Sequence, residues 1–186
     1  MPTEFSHFKL DSLNIKSIHK QFGKVRLKSF PTISPIGFFV NTKIFQIEYC
    51  APLDYIEYNK FEAKRTLIDV FGWRDYWGKH YENIYTKFYQ GVILPQKFKF
   101  DKRISHLSVL ISSKQMTKEE AELEIKTPVY NLDEYNDDRD YFIKKIGLSS
   151  EQYEYIMEQQ PVSHLNFRSY VNIINRLLKI KRKLFQ

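Results

Sequence analysis

The sequence predicts a mainly α-helical chain with a short α/β portion at its N-terminal end. Three observations carry this. Asn59, Asp101, Thr117 and Ser149 each stand where a helix N-cap is expected, and three of them have Glu or Gln three residues later. Apolar residues recur at helical spacing after each of those signals. Strand-like alternation is confined to the first third of the chain, chiefly residues 24–30 (KVRLKSF).

Taken in order, residues 1–20 read as helical or irregular, and 24–30 as a strand. Pro31 and Pro35 then interrupt the pattern. Residues 36–47 are apolar and aromatic and fit helix or strand equally well. Residues 47–50 read as a short strand entering the Ala51-Pro52-Leu53 loop. A helix starts at Asn59, buries Ala63, Leu67, Ile68 and Val70, and stops at Gly72. The next is expected over residues 79–92, ending before Pro95, and another over 101–114 behind the Asp101 cap. Thr117 with Glu120 opens a helix that Pro128 closes. The acidic run 131–140 (NLDEYNDDRD) leads into a helix over 141–146 with Gly147 at its C-cap. Ser149 with Gln152 opens 151–159, and the last helix runs from about Ser169 into the basic stretch 179–183. The division expected is 1–72 for the α/β portion and 73–186 for a helical domain.

Composition narrows the function classes. The chain has 186 residues, is 16% aromatic and carries a net charge of +7. So many aromatic residues argue for a folded chain, and the charge suits either a lysine-rich surface or an anionic partner. The single cysteine, Cys50, excludes an internal disulfide and a zinc site built on cysteines, which fits a reducing cytoplasm. The first twenty residues lack the apolar core of a signal peptide, and no apolar run is long enough to span a bilayer. The five histidines have no HExxH or related spacing, so no metal site is expected. Rossmann, P-loop and nucleophile-elbow motifs are absent.

Candidate chemistry gathers in residues 72–111. On a helix over 79–92, Lys79, Glu82, Thr86 and Gln90 share one face, opposite Tyr81, Ile84, Tyr85, Phe88 and Val92. On the next helix Lys102, Arg103 and His106 share a face. Two cations and an imidazole there suit phosphate binding, and His106 suits acid–base work. Solvated polar faces with apolar backs explain both patterns equally well. Trp73 and Trp77 flank Arg74, Asp75 and Tyr76, and serve either as core anchors or as a stacking platform for a base or sugar.

Four blocks also resemble a known family: residues 18–31 (IHKQFGKVRLKSFP), 51–67 (APLDYIEYNKFEAKRTL), 72–121 (beginning GWRDYWGKHYENIYTKFYQG) and 148–164 (LSSEQYEYIMEQQPVSH). They are similar to the C-terminal half of N-acetyl sugar amidotransferases of the PP-loop ATPase superfamily, which act in lipopolysaccharide and flagellar sugar biosynthesis. The resemblance implies that residues 1–72 are the end of a PP-loop (adenine-nucleotide α-hydrolase-like) domain and the remainder its helical partner. It implies ATP with magnesium as cofactor, a nucleotide-sugar substrate, and a glutaminase subunit supplying ammonia. ATP would adenylylate the amide oxygen of the N-acetyl group, and ammonia would displace AMP to leave an acetamidino group. Mapped onto KHxExxxTxFxQ and LPxKFxxDKRxxHLSxLI, the resemblance points to Lys79, His80, Thr86, Gln90, Lys97, Lys102 and Arg103 as substrate or phosphate contacts. Glu82 and His106 are the catalytic candidates. Two features depart from the family. The SGGxDS loop that cradles pyrophosphate is absent, so the ATP-binding half is expected from another chain or from a longer product. Trp77 also stands where a small residue is usual.

Competing readings are a basic nucleic-acid-binding module, against which the dispersed cations and lack of a binding motif weigh, and an interaction protein whose basic tail docks on an acidic partner or membrane. An incomplete sheet would expose apolar surface and make the isolated chain associate.

Overall fold

The computed structural model describes residues 11–184 apart from Tyr49 and Trp77, and the side chains of residues 177, 178 and 181–184 are likewise outside the described set. The chain divides into two compact units, one made of residues 1–51 and 162–186 and the other of 52–161.

Ten α-helices lie among the described residues: α1 (Ser12–Phe22), α2 (Pro35–Phe39), α3 (Lys60–Phe71), α4 (Ile84–Phe88), α5 (Leu94–Phe98), α6 (Lys102–Ser112), α7 (Lys118–Lys126), α8 (Leu132–Ile146), α9 (Ser150–Glu158) and α10 (Val171–Leu184). The mainly α expectation is met, but the expected strands are not. Residues 24–30 are irregular, and the sole β-type pairing among the described residues is an isolated bridge from Asp11 to Ile33. Alternation specifies a strand when a neighbouring edge accepts its hydrogen bonds. Among the described residues no such edge exists, and Val25, Leu27 and Phe30 are left exposed; Tyr49, within the expected 47–50 strand, lies outside the described residues. Residues 36–47, ambiguous in sequence, continue α2 into one π-helical turn, Val40–Ile44.

The unit of residues 1–51 and 162–186 is fastened by a buried polar network. The Asp11 carboxylate caps α1 by accepting from the amides of Leu13 and Asn14, and it also accepts from the Ser169 hydroxyl at 2.7 Å and the Tyr170 amide at 3.0 Å. His164 Nε2 approaches Ser169 Oγ at 3.2 Å, and Asn14 donates to the carbonyls of His164 and Arg168. Burial alone would raise the Asp11 pKa, but these hydrogen bonds together hold it below the usual carboxylate value. Around this network the apolar surface is poorly covered, with Ile36, Phe38, Phe39 and Phe45 all exposed.

The unit of residues 52–161 has a true core. Phe88 is fully buried and packs with Val92, Ile93, Phe142, Ile143 and Tyr153, while Leu107, Leu110 and Ala121 form a second cluster between α6 and α7. Pro95 does not end the helix as expected. Tyr89–Ile93 forms a π-helical turn between α4 and α5, with Pro95 in the first turn of α5. The widened turn removes the demand for the amide that proline lacks and relieves its clash with the preceding turn. The helix expected at residue 79 begins at Ile84 instead, because Asn83 takes the N-cap and His80 adopts a left-handed backbone, φ 69°. The acidic run belongs to α8 itself, where Asn131 caps the helix and Asp133 and Glu134 occupy its first turn.

Lys87 couples α4 to α8. Its largely buried ammonium pairs with Glu134, lies 3.7 Å from Asp138, and sits 4.4 Å from the centre of the Tyr130 ring. Lys87→Ala takes the cation away from the 13%-exposed Asp138 side chain, which keeps the Tyr130 hydroxyl as a donor, and should lower unfolding free energy by about 3 kcal/mol in urea titration. A loss below about 1 kcal/mol would mean that the pair is solvated.

Candidate functional site

The unit of residues 52–161 concentrates positive charge around His106. This residue lies near the middle of α6, and its position follows from how α6 is fixed. Asp101 caps the helix by accepting from the Arg103 amide, and its carboxylate also takes the Arg103 guanidinium from two sides. The remaining guanidinium hydrogens go to the carbonyls of Glu124, Ile125 and Thr127 at the end of α7, at 2.8–3.0 Å. All five N–H donors of Arg103 are thereby used within the protein. Its hydrogen bonds to Asp101 raise its pKa further. Arg103 is a strut between α6 and the C-terminus of α7, where its charge also meets the negative end of that helix.

Lys79 reaches His106 from the turn before α4. Its Nζ lies 3.3 Å from His106 Nδ1. An ammonium only donates, so Nδ1 accepts and the ring proton resides on Nε2. Nε2 is buried and has no protein partner. Burial first, then repulsion from Lys79, Lys102, His80 and Lys60, pushes the His106 pKa down to about 4. At neutral pH His106 is therefore an uncharged N–H donor, and a poor general base.

Lys60 completes the cluster, and sequence reading missed it. Burial lowers its pKa, Lys64 and Lys79 push in the same direction, and Glu124 and Asp75 oppose them. Gln115 holds this lysine in place, accepting from the Lys60 amide at 2.8 Å and donating to the Tyr58 carbonyl at 3.2 Å. Lys60 follows the Asn59 cap directly and carries no motif; what marks it is the arrival of residues 79, 102 and 106 beside it. Lys64 pairs with Asp75, which removes one cation from the group.

The sequence-derived residues thus separate. Lys79, His80, Lys102 and His106 come together. Glu82 is exposed on the turn and lies 3.8 Å from His80 Nδ1. Thr86 and Gln90 lie on α4 and the π-helical turn, half-buried on either side of Phe88. Lys97 donates to the carbonyls of Ile156 and Gln159, closing the end of α9. Trp73 packs edge-on against Tyr76 with ring centres 5.2 Å apart, and Trp77 lies outside the described residues. Among the described residues, no three of His, Cys, Asp and Glu come together as a metal site, and no helix is long and apolar enough to cross a membrane.

Chemically, the cluster can hold an anion. Lys79 lies against His106, Lys102 stands one turn before it on α6, and Lys60 and His80 add to the same positive field, so a phosphate held by the lysines would relieve the repulsion. Two outcomes follow. The His106 ring should titrate near pH 4 by NMR. The unfolded chain binds that proton near the ordinary histidine pKa of about 6.5. Stability should therefore fall as pH drops from about 6.5 toward 4, and His106→Gln should flatten that slope in a melting series. Arg103→Gln should lower unfolding free energy by about 2 kcal/mol or more, because it takes the donors from three carbonyls and the cation from Asp101. A melt like that of the parent chain would contradict the strut.

Comparison with curated proteins found no match, and none was found among solved structures. Comparison with family models matched residues 82–181, more than half of the chain, to the family described as LPS biosynthesis protein WbpG-like, C-terminal domain. The match takes in His106, Lys102 and the helices that position them, and the chain belongs to this family of lipopolysaccharide biosynthesis proteins.

Proposed function

We propose that this chain is the anion-holding helical part of an N-acetyl sugar amidotransferase in lipopolysaccharide biosynthesis. The reaction class would be exchange of a sugar amide oxygen for the nitrogen of ammonia, giving an acetamidino group. The observation that carries the reading is the convergence of Lys60, Lys79, His80 and Lys102 on the neutral His106. Such a cluster costs stability unless an anion binds there. The diphosphate of a nucleotide-sugar fits that need, and family membership supplies the biosynthetic context.

Within this reading Lys79 and Lys102 hold phosphate oxygens beside the neutral His106 ring, whose Nδ1 orients the Lys79 ammonium. His80, tied to Glu82, borders the same group. The activating ATP would rest on a glycine-rich SGGxDS loop that this sequence lacks, and the lysine–histidine cluster does not reproduce such a loop. No activation step is therefore assigned to these residues. The glutaminase that would supply ammonia is likewise a partner implied by the reading.

The test is calorimetric titration of the chain with UDP-N-acetylglucosamine and, separately, inorganic pyrophosphate. Both should bind in a salt-sensitive manner. Lys79→Ala and Lys102→Ala should each weaken binding about tenfold or more, with melting temperatures of the anion-free chain at or above the parent's. Bound anion should also raise the His106 pKa from about 4. Equal affinity for the parent and both variants would overturn the reading, as would an unmoved His106 titration at saturating pyrophosphate.

A further inference from the structure

We propose that α10 is a membrane-surface helix that seats on anionic phospholipid. From residue 159 to residue 186 the sequence holds six Lys or Arg and no Asp or Glu, against a net charge of +7 for the whole chain. An ordinary solvated helix mixes signs, with acids pairing bases one turn away. Here no acid is present to pair, so the cations call for an outside counter-charge.

Geometry adds the apolar half. Ile173 and Ile180 are seven residues apart, two turns along one stripe, and are 52% and 56% exposed. Val171 and Ile174 lie on other faces of the helix and are half-buried. The Ile173–Ile180 stripe therefore does not serve the core of its own unit. Arg176 and Lys179, both exposed, lie along one border of that stripe. A helix with isoleucines along one line and long cations beside it suits the plane of a headgroup layer. The isoleucines enter the acyl boundary, and the cations bury their stems while reaching the lipid phosphates. Nucleic acid fits less well. Residues 171–184 include no aromatic side chain on which a base could stack, and exposed isoleucines gain nothing from a phosphate backbone. An acidic protein would match the charge and leaves its own trace in the test.

The experiment is cosedimentation of the full chain with vesicles of phosphatidylcholine, with and without about one third phosphatidylglycerol. Binding is expected to the anionic vesicles, to fall away at about 1 M salt, and to be far weaker on the neutral ones. Arg176→Gln with Lys179→Gln should weaken binding about thirtyfold. Ile173→Ser with Ile180→Ser should weaken it about tenfold or more. Circular dichroism would confirm that both variants keep the parent's helix content. Failure to bind anionic vesicles, equal binding to neutral ones, or parental affinity in either double variant would overturn the proposal. So would binding to RNA or to an acidic polypeptide with vesicles ignored. None of these readouts depends on the nucleotide-sugar site.

Discussion

The guanidinium of Arg103 sets the geometry on which the candidate site depends. It ties the Asp101 cap of α6 to the last carbonyls of α7, so the first turn of α6 cannot slide or rotate against its neighbour. Lys102 and His106 ride on that turn and the next. Lysine could not replace this arginine, because a point ammonium cannot serve a carboxylate and three carbonyls in one plane. The sequence places Arg103 beside Lys102 and invites the same role for both. The structure separates them, making Arg103 a support and leaving the electrostatic work at His106 to Lys102 and Lys79.

That separation shows how the fold holds a cationic cluster in place. Lys60, Lys79, Lys102 and His80 all push against a proton on His106, and Lys60 itself is pushed down by burial and by Lys64 and Lys79. Each is an unfavourable contact in the protein alone. The cost is borne by the capped helices α6 and α7 and by the aromatic core around Phe88, whereas α3 is capped but leaves Leu67, Ile68 and Val70, its expected apolar face, exposed. Local frustration set on a well-packed support is the arrangement expected where a ligand supplies the missing charge.

Much of the helical framework was legible from local chemistry. Thr117 with Glu120 and Ser149 with Gln152 form the full reciprocal capping boxes that their spacing predicts, and Gly72 and Gly147 take the left-handed C-cap conformation. Where local chemistry was silent, reading failed for identifiable reasons. Alternation over residues 24–30 says nothing about whether a partner strand exists. Helical periodicity from Lys79 cannot register that Asn83 will compete for the cap. Pro95 reads as a stop because a π-helical turn has no sequence marker of its own. At the site, Lys79, Lys102 and His106 were visible as polar residues on expected helix faces, but Lys60 and the structural duties of Arg103 and Lys97 depend on contacts dozens of residues away in sequence.

Two polar groups show how satisfaction distinguishes a support from a site. Asp11, His164 and Ser169 have the residue types of a hydrolytic triad, yet their connections contradict one. Ser169 donates to Asp11 rather than to the imidazole, and His164 Nε2 faces both the hydroxyl and, at 3.8 Å, the carboxylate. The Asp11 carboxylate accepts four hydrogen bonds inside the protein, and it binds the start of α1 to the segment before α10. Nothing in that network lacks a partner that a substrate would supply. His106 is the opposite case, with one ring nitrogen against an ammonium, the other buried without an acceptor, and Lys79, Lys102 and Lys60 all disfavouring a second ring proton. Buried polar groups in native proteins are paired in the great majority. An unpaired buried donor next to Lys79 therefore marks a place where the described residues leave hydrogen bonding and charge unbalanced.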